Sequence, residues 1–284
     1  MALQLVTLPV VQRLSPRCIR ILGGNPGTFT LQGTNTYLLG TGHKRILVDT
    51  GEGKSPWLSS VRSTLEAEQA TIDIALLSHW HHDHTGGIAD LISLVPDVQI
   101  YKYDPVTQQH AMVDGQKFSV EGATLTAVHT PGHTSDHFVF VLEEENAMFS
   151  ADNVLGQGTA VFEDMSEYLK SLRKMQGLFS GKAYPGHGPV LEDGPGTIVQ
   201  YIEHRQQRIK QVIEAMRGPD SSHVRGDVWS AMDIVKHVYR DVPTDLHLAA
   251  CGGVLQILDK LVKDGMVCRH GDDQWQLAPD KSAL

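Results

Sequence analysis

Four side chains of types that bind metal ions lie within six residues of one another. They form the pattern His79-x-His81-x-Asp83-His84, directly after an apolar run that predicts a strand. His79 and His81 are two residues apart, so in an extended chain both imidazoles point to one side. Asp83 and His84 come one turn later, at the start of a helix that carries Ile88 and Leu91. This spacing suits a pair of metal ions about 3.5–4 Å apart with a hydroxide between them.

Three further candidate ligands follow at the ends of other predicted strands. A Pro-Gly turn precedes His133 and again His187, and Asp152 follows the strand predicted at residues 147–150. Turns at strand ends can bring such distant residues together on a rigid scaffold. Five histidines and two aspartates form a nitrogen and oxygen donor set. That set suits two Zn²⁺ ions per chain, with iron or manganese as alternatives.

Composition limits the partners and the compartment. The 284 residues, 41% of them hydrophobic, are enough for one large domain or for a large domain with a small one. The formal net charge of −9 argues against a basic field over the whole protein that would concentrate nucleic acid. No apolar run reaches the roughly 18 residues of a membrane span, so no membrane partner is expected. Three widely spaced cysteines favour a reducing compartment over a disulfide framework.

The first part of the chain is rich in predicted strands. Short runs of β-branched, aromatic and aliphatic residues predict strands at 18–22, 36–39, 45–49, 72–77, 98–103, 123–129, 137–142 and 147–150, with a short one around 183. Helices are predicted at 55–68, 87–94 and 163–179. Strands mixed with helices, without strict alternation, predict an α/β fold with two sheets flanked by helices.

The last part of the chain has a different character. A helix at 197–217 with basic residues on its surface (Arg205, Arg208, Lys210, Arg217) precedes a predicted linker at 221–227. Helices at 228–240 and 245–264 and a hairpin at 266–277 follow, in the order of a winged-helix unit. We therefore expect a catalytic domain at 1–218 and a winged-helix-like domain at 219–284. From residue 219 onward seven Lys or Arg stand against ten Asp, which favours a structural or dimer-forming role over nucleic-acid reading. The basic helix is the better candidate for contacts to substrate phosphates.

The order of the candidate ligands resembles the metallo-β-lactamase superfamily, whose fold is an αββα sandwich. The resemblance implies that one metal is held by His79, His81 and His133, and a second by Asp83, His84 and His187. It further implies that Asp152 bridges the two ions. In the same way Asp49, in the triplet Asp49-Thr50-Gly51, would brace the ligands without binding metal. Asp83 and Asp152 are the expected catalytic carboxylates, with Asp83 also able to orient the attacking water.

Several segments resemble a narrower group, the β-lactamase-like protein 2 group. They are residues 25–27, 31–38, 78–81, 143–147 and 184–189. The best known member of that group is a mitochondrial endoribonuclease that cuts single-stranded RNA. The resemblance implies hydrolysis of a phosphodiester in single-stranded RNA by attack of a metal-bound hydroxide. It also implies a mitochondrial matrix location, with the cytoplasm as the alternative, and a homodimer is a further expectation.

The serious alternative is a thioester hydrolase of the glyoxalase II type, which shares every ligand. A β-lactam substrate is disfavoured, because no cysteine lies near a motif, whereas the commonest di-zinc β-lactamases use one. A non-enzymatic scaffold is the least favoured hypothesis, since all seven ligands are intact. Asn35 is a candidate substrate contact. His82, His129 and His137 lie near the motifs and are weaker candidates for the same role.

The N-terminus allows two interpretations. Arg13, Arg17 and Arg20 precede the first acidic residue, Asp49, and such a composition is typical of mitochondrial presequences. The strand predicted at residues 18–22 favours the other interpretation, because it leaves little chain to cleave.

Overall fold

Two β-sheets form the centre of the larger part of the protein. The computed structural model describes residues 5–217, 228–244 and 247–279. The first sheet contains, in spatial order, β1 Val11–Ser15, β2 Cys18–Leu22, β3 Asn35–Leu39, β4 Lys44–Val48, β5 Thr71–Leu76, β6 Gln99–Lys102 and β7 His110–Ala111. The second contains, in spatial order, β12 Ala183–Pro185, β11 Ala147–Ala151, β10 Phe138–Leu142, β9 Ala123–His129 and β8 Lys117–Val120.

Alternation along the strands gives the molecule two separate cores. In β3, Tyr37 and Leu39 join a cluster with residues of the second sheet such as Phe140 and Phe149, so this cluster fills the space between the sheets. Leu38 faces the opposite way and packs with Trp57 of the outer helix layer. The first sheet is therefore covered on both faces, as the αββα arrangement requires.

The helices of this part lie outside the sheets or at their ends. They are α1 Ser55–Glu68, α2 His82–Thr85, α3 Ile88–Leu94 and α4 Met165–Gln176. α1 begins with Pro56 in its first turn and ends at Gln69, whose left-handed backbone (φ 49°) closes the helix. Its buried residues Trp57, Val61 and Leu65 recur at helical spacing and form the face that packs on the first sheet.

The prediction that Asp83 and His84 begin the helix that carries Ile88 and Leu91 is wrong, because the structure has two helices there. α2 ends at Thr85 and α3 begins at Ile88. Gly87 lies between them against the turn after β4, and a Cβ on Gly87 would overlap the carbonyl oxygen of Thr50. This close backbone approach breaks the helix, and it places Asp83 and His84 on a short helix of their own.

The remaining predicted elements agree with the structure to within a few residues, but three strands were not predicted. These are β1, β7 and β8. β1 pairs antiparallel with β2, so residues 11–15 are part of the first sheet. β8 pairs with β9 at the far edge of the second sheet, and β7 is only two residues long.

The chain divides into two compact units. Residues 1–162 and 167–199 form one, and residues 163–166 and 200–284 form the other. The helix α5 Gly194–Arg217 runs from the first unit into the second. The boundary predicted between residues 218 and 219, and the linker predicted at 221–227, lie outside the described residues. Within those residues, no helix has the length and apolar character that crossing a membrane would demand.

The second unit has the elements of a winged helix. They are α6 Ala231–Val238, α7 His247–Lys263, β13 Val267–Arg269 and β14 Trp275–Leu277. Ser230 caps α6 in a reciprocal capping box with Asp233, which explains why the helix begins there. In α7, Val254, Leu258 and Leu261 are buried at helical spacing, as core residues would be.

Candidate metal centre

All seven predicted ligands converge at one end of the two sheets. His79 follows β5, His133 follows β9, and Asp152 directly follows β11. His187 lies on the turn after β12, and α2 carries Asp83 and His84. Each of these four strands is followed by one candidate ligand at the point where the chain leaves the sheet. The two sheets therefore fix the relative positions of ligands that are far apart in sequence.

The ligands form two groups. His79, His81, His133 and Asp152 each offer one donor atom, and these atoms lie within 4.8 Å of one another. His81 Nδ1 is 3.0 Å from His79 Nε2 and 3.1 Å from His133 Nε2. We call these four residues the first ligand group.

Asp83, His84 and His187 form the second ligand group, and their donor atoms also lie within 4.8 Å of one another. Asp83 Oδ2 is 3.3 Å from His84 Nε2 and 3.2 Å from His187 Nε2. Asp152 reaches this group as well, because its Oδ1 is 3.4 Å from His84 Nε2 and its Oδ2 is 3.3 Å from His187 Nε2. The same Oδ2 is 3.6 Å from His133 Nε2, so the carboxylate of Asp152 stands between the two groups.

These separations fit divalent ions better than they fit hydrogen bonds. Nitrogen and oxygen ligands about 2.0–2.1 Å from a tetrahedral zinc ion are about 3.3–3.4 Å from one another. The donor separations of 3.0–3.6 Å bracket that value. Among the described residues, the buried atoms His84 Nε2 and Asp152 Oδ1 have no hydrogen-bond partner. Buried polar atoms are costly unless a partner satisfies them, so these atoms are arranged for an ion.

Hydrogen bonds set the tautomers of the first ligand group. Ser78 Oγ donates to Asp49 Oδ2 at 2.9 Å, so its remaining capacity accepts the Nδ1 proton of His79, also at 2.9 Å. His133 Nδ1 donates to the carbonyl oxygen of Val161 at 2.8 Å. Both imidazoles therefore present an unprotonated Nε2 to the cluster, which is the form that binds a metal ion.

The second ligand group is held by carboxylates and by a buried threonine. His84 Nδ1 donates to Asp49 Oδ2 at 2.7 Å, and Thr34 Oγ1 donates to Asp83 Oδ2 at 3.0 Å. Asp49 also accepts the backbone N–H of Ser78 at Oδ1, so it braces both groups without facing the cluster itself. Asp49 has a left-handed backbone (φ 61°), a conformation that costs on the order of 1–3 kcal/mol and is typical of functional sites.

The two groups differ in their affinity for protons. Burial lowers the pKa of His79 well below its usual value, and burial also lowers the pKa of His81. Burial acts in the same direction on His187, but the carboxylates of Asp152 and Asp83 outweigh it and raise the pKa of His187 to about 9. For His84, Asp152 and Asp49 outweigh burial in the same way and raise its pKa.

Both aspartates stay ionised in this environment. Burial on its own would raise the pKa of Asp152, but His187 and His84 hold it well below the usual carboxyl value. The same two histidines hold the pKa of Asp83 far below its usual value. Two carboxylates and five imidazoles thus form a mixed oxygen and nitrogen donor set that suits divalent ions.

Asn35, a candidate substrate contact from the sequence, lies in the interior. Only 1% of its surface is exposed, and its side-chain amide donates to the carbonyl oxygens of Pro185 and Gly188. His137 is also buried, and its Nε2 accepts the backbone N–H of Asp152. His129 Nε2 contacts the Ser135 carbonyl oxygen. Asn35 and His137 therefore position the site, and neither can touch a substrate.

A cavity of about 450 Å³ opens beside the cluster. Five of the seven ligands contribute to its lining: His81, Asp83, His133, Asp152 and His187. Two segments of chain supply the rest, namely residues 28–31 and residues 155 and 157–161. The side chains from these segments are apolar or uncharged, and no Lys or Arg among the residues that the structure describes lines the cavity. These segments carry no recognisable motif, so the sequence offered no signal for them.

Comparisons with known proteins agree with this geometry. The model of the metallo-beta-lactamase superfamily matches residues 29–187, and that of the beta-lactamase associated winged helix domain matches residues 230–275. A beta-lactamase domain protein from Burkholderia ambifaria has a similar fold, with a TM-score of 0.78 and 17% identity, over 96% of this chain and 95% of that one.

Two curated relatives match nearly the whole chain. An atrochrysone carboxyl ACP thioesterase of Aspergillus fumigatus is 45% identical over 94% of this chain and 89% of its own length. A beta-lactamase-like protein 2 homolog of Caenorhabditis elegans is 43% identical over 90% of this chain and 88% of its own.

The fold, the His/Asp cluster and the matches define a metal-dependent hydrolase class. The chain belongs to the metallo-beta-lactamase superfamily, and it carries the associated winged helix domain. The cluster is consistent with divalent metal ions.

Proposed function

We propose that the protein is a di-zinc endoribonuclease that hydrolyses phosphodiester bonds of single-stranded RNA. The observation that carries this proposal is a pair of exposed aromatic rings at the metal centre. Phe29 lines the cavity and is 77% exposed, and Trp80, which is 54% exposed, lies between two ligands in sequence. The Trp80 ring packs against His81 with the ring centroids 4.5 Å apart. Exposed aromatic rings are the usual platforms on which unpaired bases stack, each worth about 1–3 kcal/mol.

The ligand arrangement suits this chemistry. His79, His81 and His133 would hold one ion, Asp83, His84 and His187 the other, and Asp152 would bridge them. Bound there, two such ions would lower the pKa of a water molecule and neutralise charge on the phosphate. Phe29 and Trp80 would hold the flanking bases, and the uncharged walls of the cavity would keep bulk water from the scissile bond. The resemblance to the β-lactamase-like protein 2 group supports the same substrate.

The basic helix predicted to contact phosphates supports this less than expected. Arg205 and Arg208 of α5 are half-buried, and the Arg208 guanidinium lies over the Tyr239 ring, 4.6 Å from its centroid. Of the four basic residues of this helix named above, only Lys210 and Arg217 are exposed. We therefore assign RNA binding to the metal centre and the aromatic pair. The mitochondrial location and the homodimer stay predictions.

A thioester hydrolase is the second candidate, and the cavity lining favours it. An acyl chain with a neutral thioester needs no cation, and Phe29, Leu31, Leu155 and Val161 offer it apolar surface. The relative from Aspergillus fumigatus is named a thioesterase. This candidate and the RNA proposal share the metal centre and differ in what the cavity holds.

A paired turnover assay separates the two candidates. Zinc-loaded protein is given a fluorescent single-stranded RNA in one arm, and an acyl thioester such as S-D-lactoylglutathione in the other. His81→Ala and a chelator control for contaminating nuclease. If bases stack as proposed, Phe29→Ala and Trp80→Ala each raise KM for RNA by about 5- to 150-fold, which corresponds to 1–3 kcal/mol.

Tyr103→Ala is the matched control, because Tyr103 is 48% exposed but stacks on His129 and does not line the cavity. If no part of the RNA cleavage is removed by chelator and by His81→Ala, the endonuclease proposal is ruled out, because the remaining cleavage belongs to a contaminant. Turnover of the thioester with intact RNA would transfer the protein to the second candidate.

A further inference from the structure

The segment Thr34-Asn35 at the start of β3 holds the second ligand group through a directed chain of hydrogen bonds. Asn25 Nδ2 lies 3.1 Å from Thr34 Oγ1, and an amide nitrogen can only donate. The hydroxyl of Thr34 must therefore accept that bond and direct its own proton elsewhere. Its other neighbour is Asp83 Oδ2 at 3.0 Å, a carboxylate oxygen that accepts the hydroxyl proton.

Asn35 fixes the turn that carries His187. Its two amide protons go to the carbonyl oxygens of Pro185 and Gly188, each at 2.9 Å, so they bracket His187 from both sides. The backbone N–H of Asn35 donates to the carbonyl oxygen of Gly186 at 2.7 Å. The turn is therefore held at three carbonyl oxygens, those of Pro185, Gly186 and Gly188, and Asn35 is only 1% exposed.

The first ligand group has no share in this arrangement. Ser78 orients the imidazole of His79, and the carbonyl oxygen of Val161 orients the imidazole of His133. Within the described part of the chain, neither Thr34 nor Asn35 forms a hydrogen bond to His79, His81 or His133. Apart from Asp49 and Asp152, which serve both groups, the support of the two groups is therefore separable.

We propose that Thr34 and Asn35 are positioning residues that determine ion occupancy at the second ligand group alone. The first group would keep its ion when they are changed. This inference rests on the ligand assignment made under the proposed function, and it is independent of which bond the protein hydrolyses.

The test is the number of zinc ions retained per chain during dialysis against increasing chelator, measured by mass spectrometry of the metal. Thr34→Val removes the hydroxyl at constant size. In Asn35→Asp a carboxylate oxygen takes the place of the amide nitrogen. It faces the carbonyl oxygens of Pro185 and Gly188 and has no proton to donate to them. Loss of such supporting groups typically costs 10–100-fold in metal affinity, so both variants should release one ion at about 10–100-fold lower chelator and keep the other.

Thr36→Val is the matched control, because it makes the same change two residues along on β3. Thr36 is equally buried, but its hydroxyl donates to the Ile21 carbonyl oxygen and accepts from Trp57 Nε1, away from the ligands. It should retain both ions as the unaltered chain does. Thr34→Ser keeps the hydroxyl and should restore occupancy, and thermal unfolding of the metal-free variants checks that each is folded.

Several outcomes would overturn the proposal. They are retention of both ions in Thr34→Val and Asn35→Asp, simultaneous release of both ions, loss of an ion in Thr36→Val as large as in Thr34→Val, or a starting protein that holds a single ion. RNA and thioester play no part in the measurement. A failure of the substrate proposal therefore leaves this result standing, and a failure here leaves the assay results standing.

Discussion

The two ligand groups lie side by side, yet they are supported in different ways. Neutral oxygens of Ser78 and Val161 orient the first group, and burial lowers the pKa of His79 and His81. Carboxylates surround the second group and raise the pKa of His84 and His187. The first group is ready for an ion at neutral pH, whereas the second must first release protons. One fold thus builds two adjacent sites with unequal demands, because different side chains stand behind the ligands.

Replacing Asp152, the residue that both ligand groups share, should disable both groups and so abolish the difference between them. In Asp152→Asn an amide nitrogen replaces one oxygen that lies 3.3–3.6 Å from ligand nitrogens of both groups. Hydrolysis should fall by more than about 100-fold, beyond the range for loss of a supporting residue, while the fold is retained. Activity and metal content are measured together with circular dichroism.

Asp114→Asn makes the same change at an aspartate that pairs with Lys174 and is not a ligand, so it should leave activity unchanged. Full activity of Asp152→Asn with unchanged metal content would contradict the shared role of Asp152.

Asp49→Asn should weaken both groups, but less severely. Asp49 accepts hydrogen bonds from the Ser78 N–H and hydroxyl and from His84 Nδ1, and an amide nitrogen can accept none of them. The loss in metal affinity should be about 10–100-fold, and larger for the second group, which Asp49 contacts directly. Titration with a coloured chelator gives both affinities. Equal loss at the two groups would contradict the larger effect expected at the second group.

The smallest effect, up to about tenfold for each single pH unit, is expected from pH, and it should separate the groups without any mutation. At neutral pH the metal-free protein carries a proton on His187, whose pKa is about 9, and an ion must displace it. Affinity at the second group should therefore rise by up to about tenfold per pH unit between pH 7 and 9. The first group should change little over that range, because its lowered pKa values leave His79 and His81 neutral. Calorimetry in two buffers of different ionisation enthalpy counts the protons released. An equal dependence of affinity on pH for the two ions would contradict the contrast between the two ligand groups.

The candidate ligands that the sequence singles out lie together in the structure because each is positioned by its own local sequence. His79, His133 and His187 follow short apolar runs and adjoin Gly or Pro turns, so neighbouring residues define each ligand's direction. The fold class followed from the same strands. The structure brings together all seven residues that the pattern singled out.

The supporting residues could not be predicted in this way. The amide of Asn35 bonds to residues 150 and 153 positions further along the chain, and no local pattern announces such a bond. The break between α2 and α3 has a similar origin, since it depends on the contact of Gly87 with Thr50. Interactions between sheets decide these features, whereas the sequence pattern reports mainly on single elements.

The bond between the Asn35 N–H and the Gly186 carbonyl oxygen joins the beginning of β3 to the turn after β12. During synthesis on the ribosome, the contact between these two segments cannot form until the chain has been made at least to residue 188 and has cleared the exit tunnel. His187 is also the last ligand to emerge. An ion captured earlier would meet only part of its final coordination shell, so the second ion should enter a chain whose two sheets have already met.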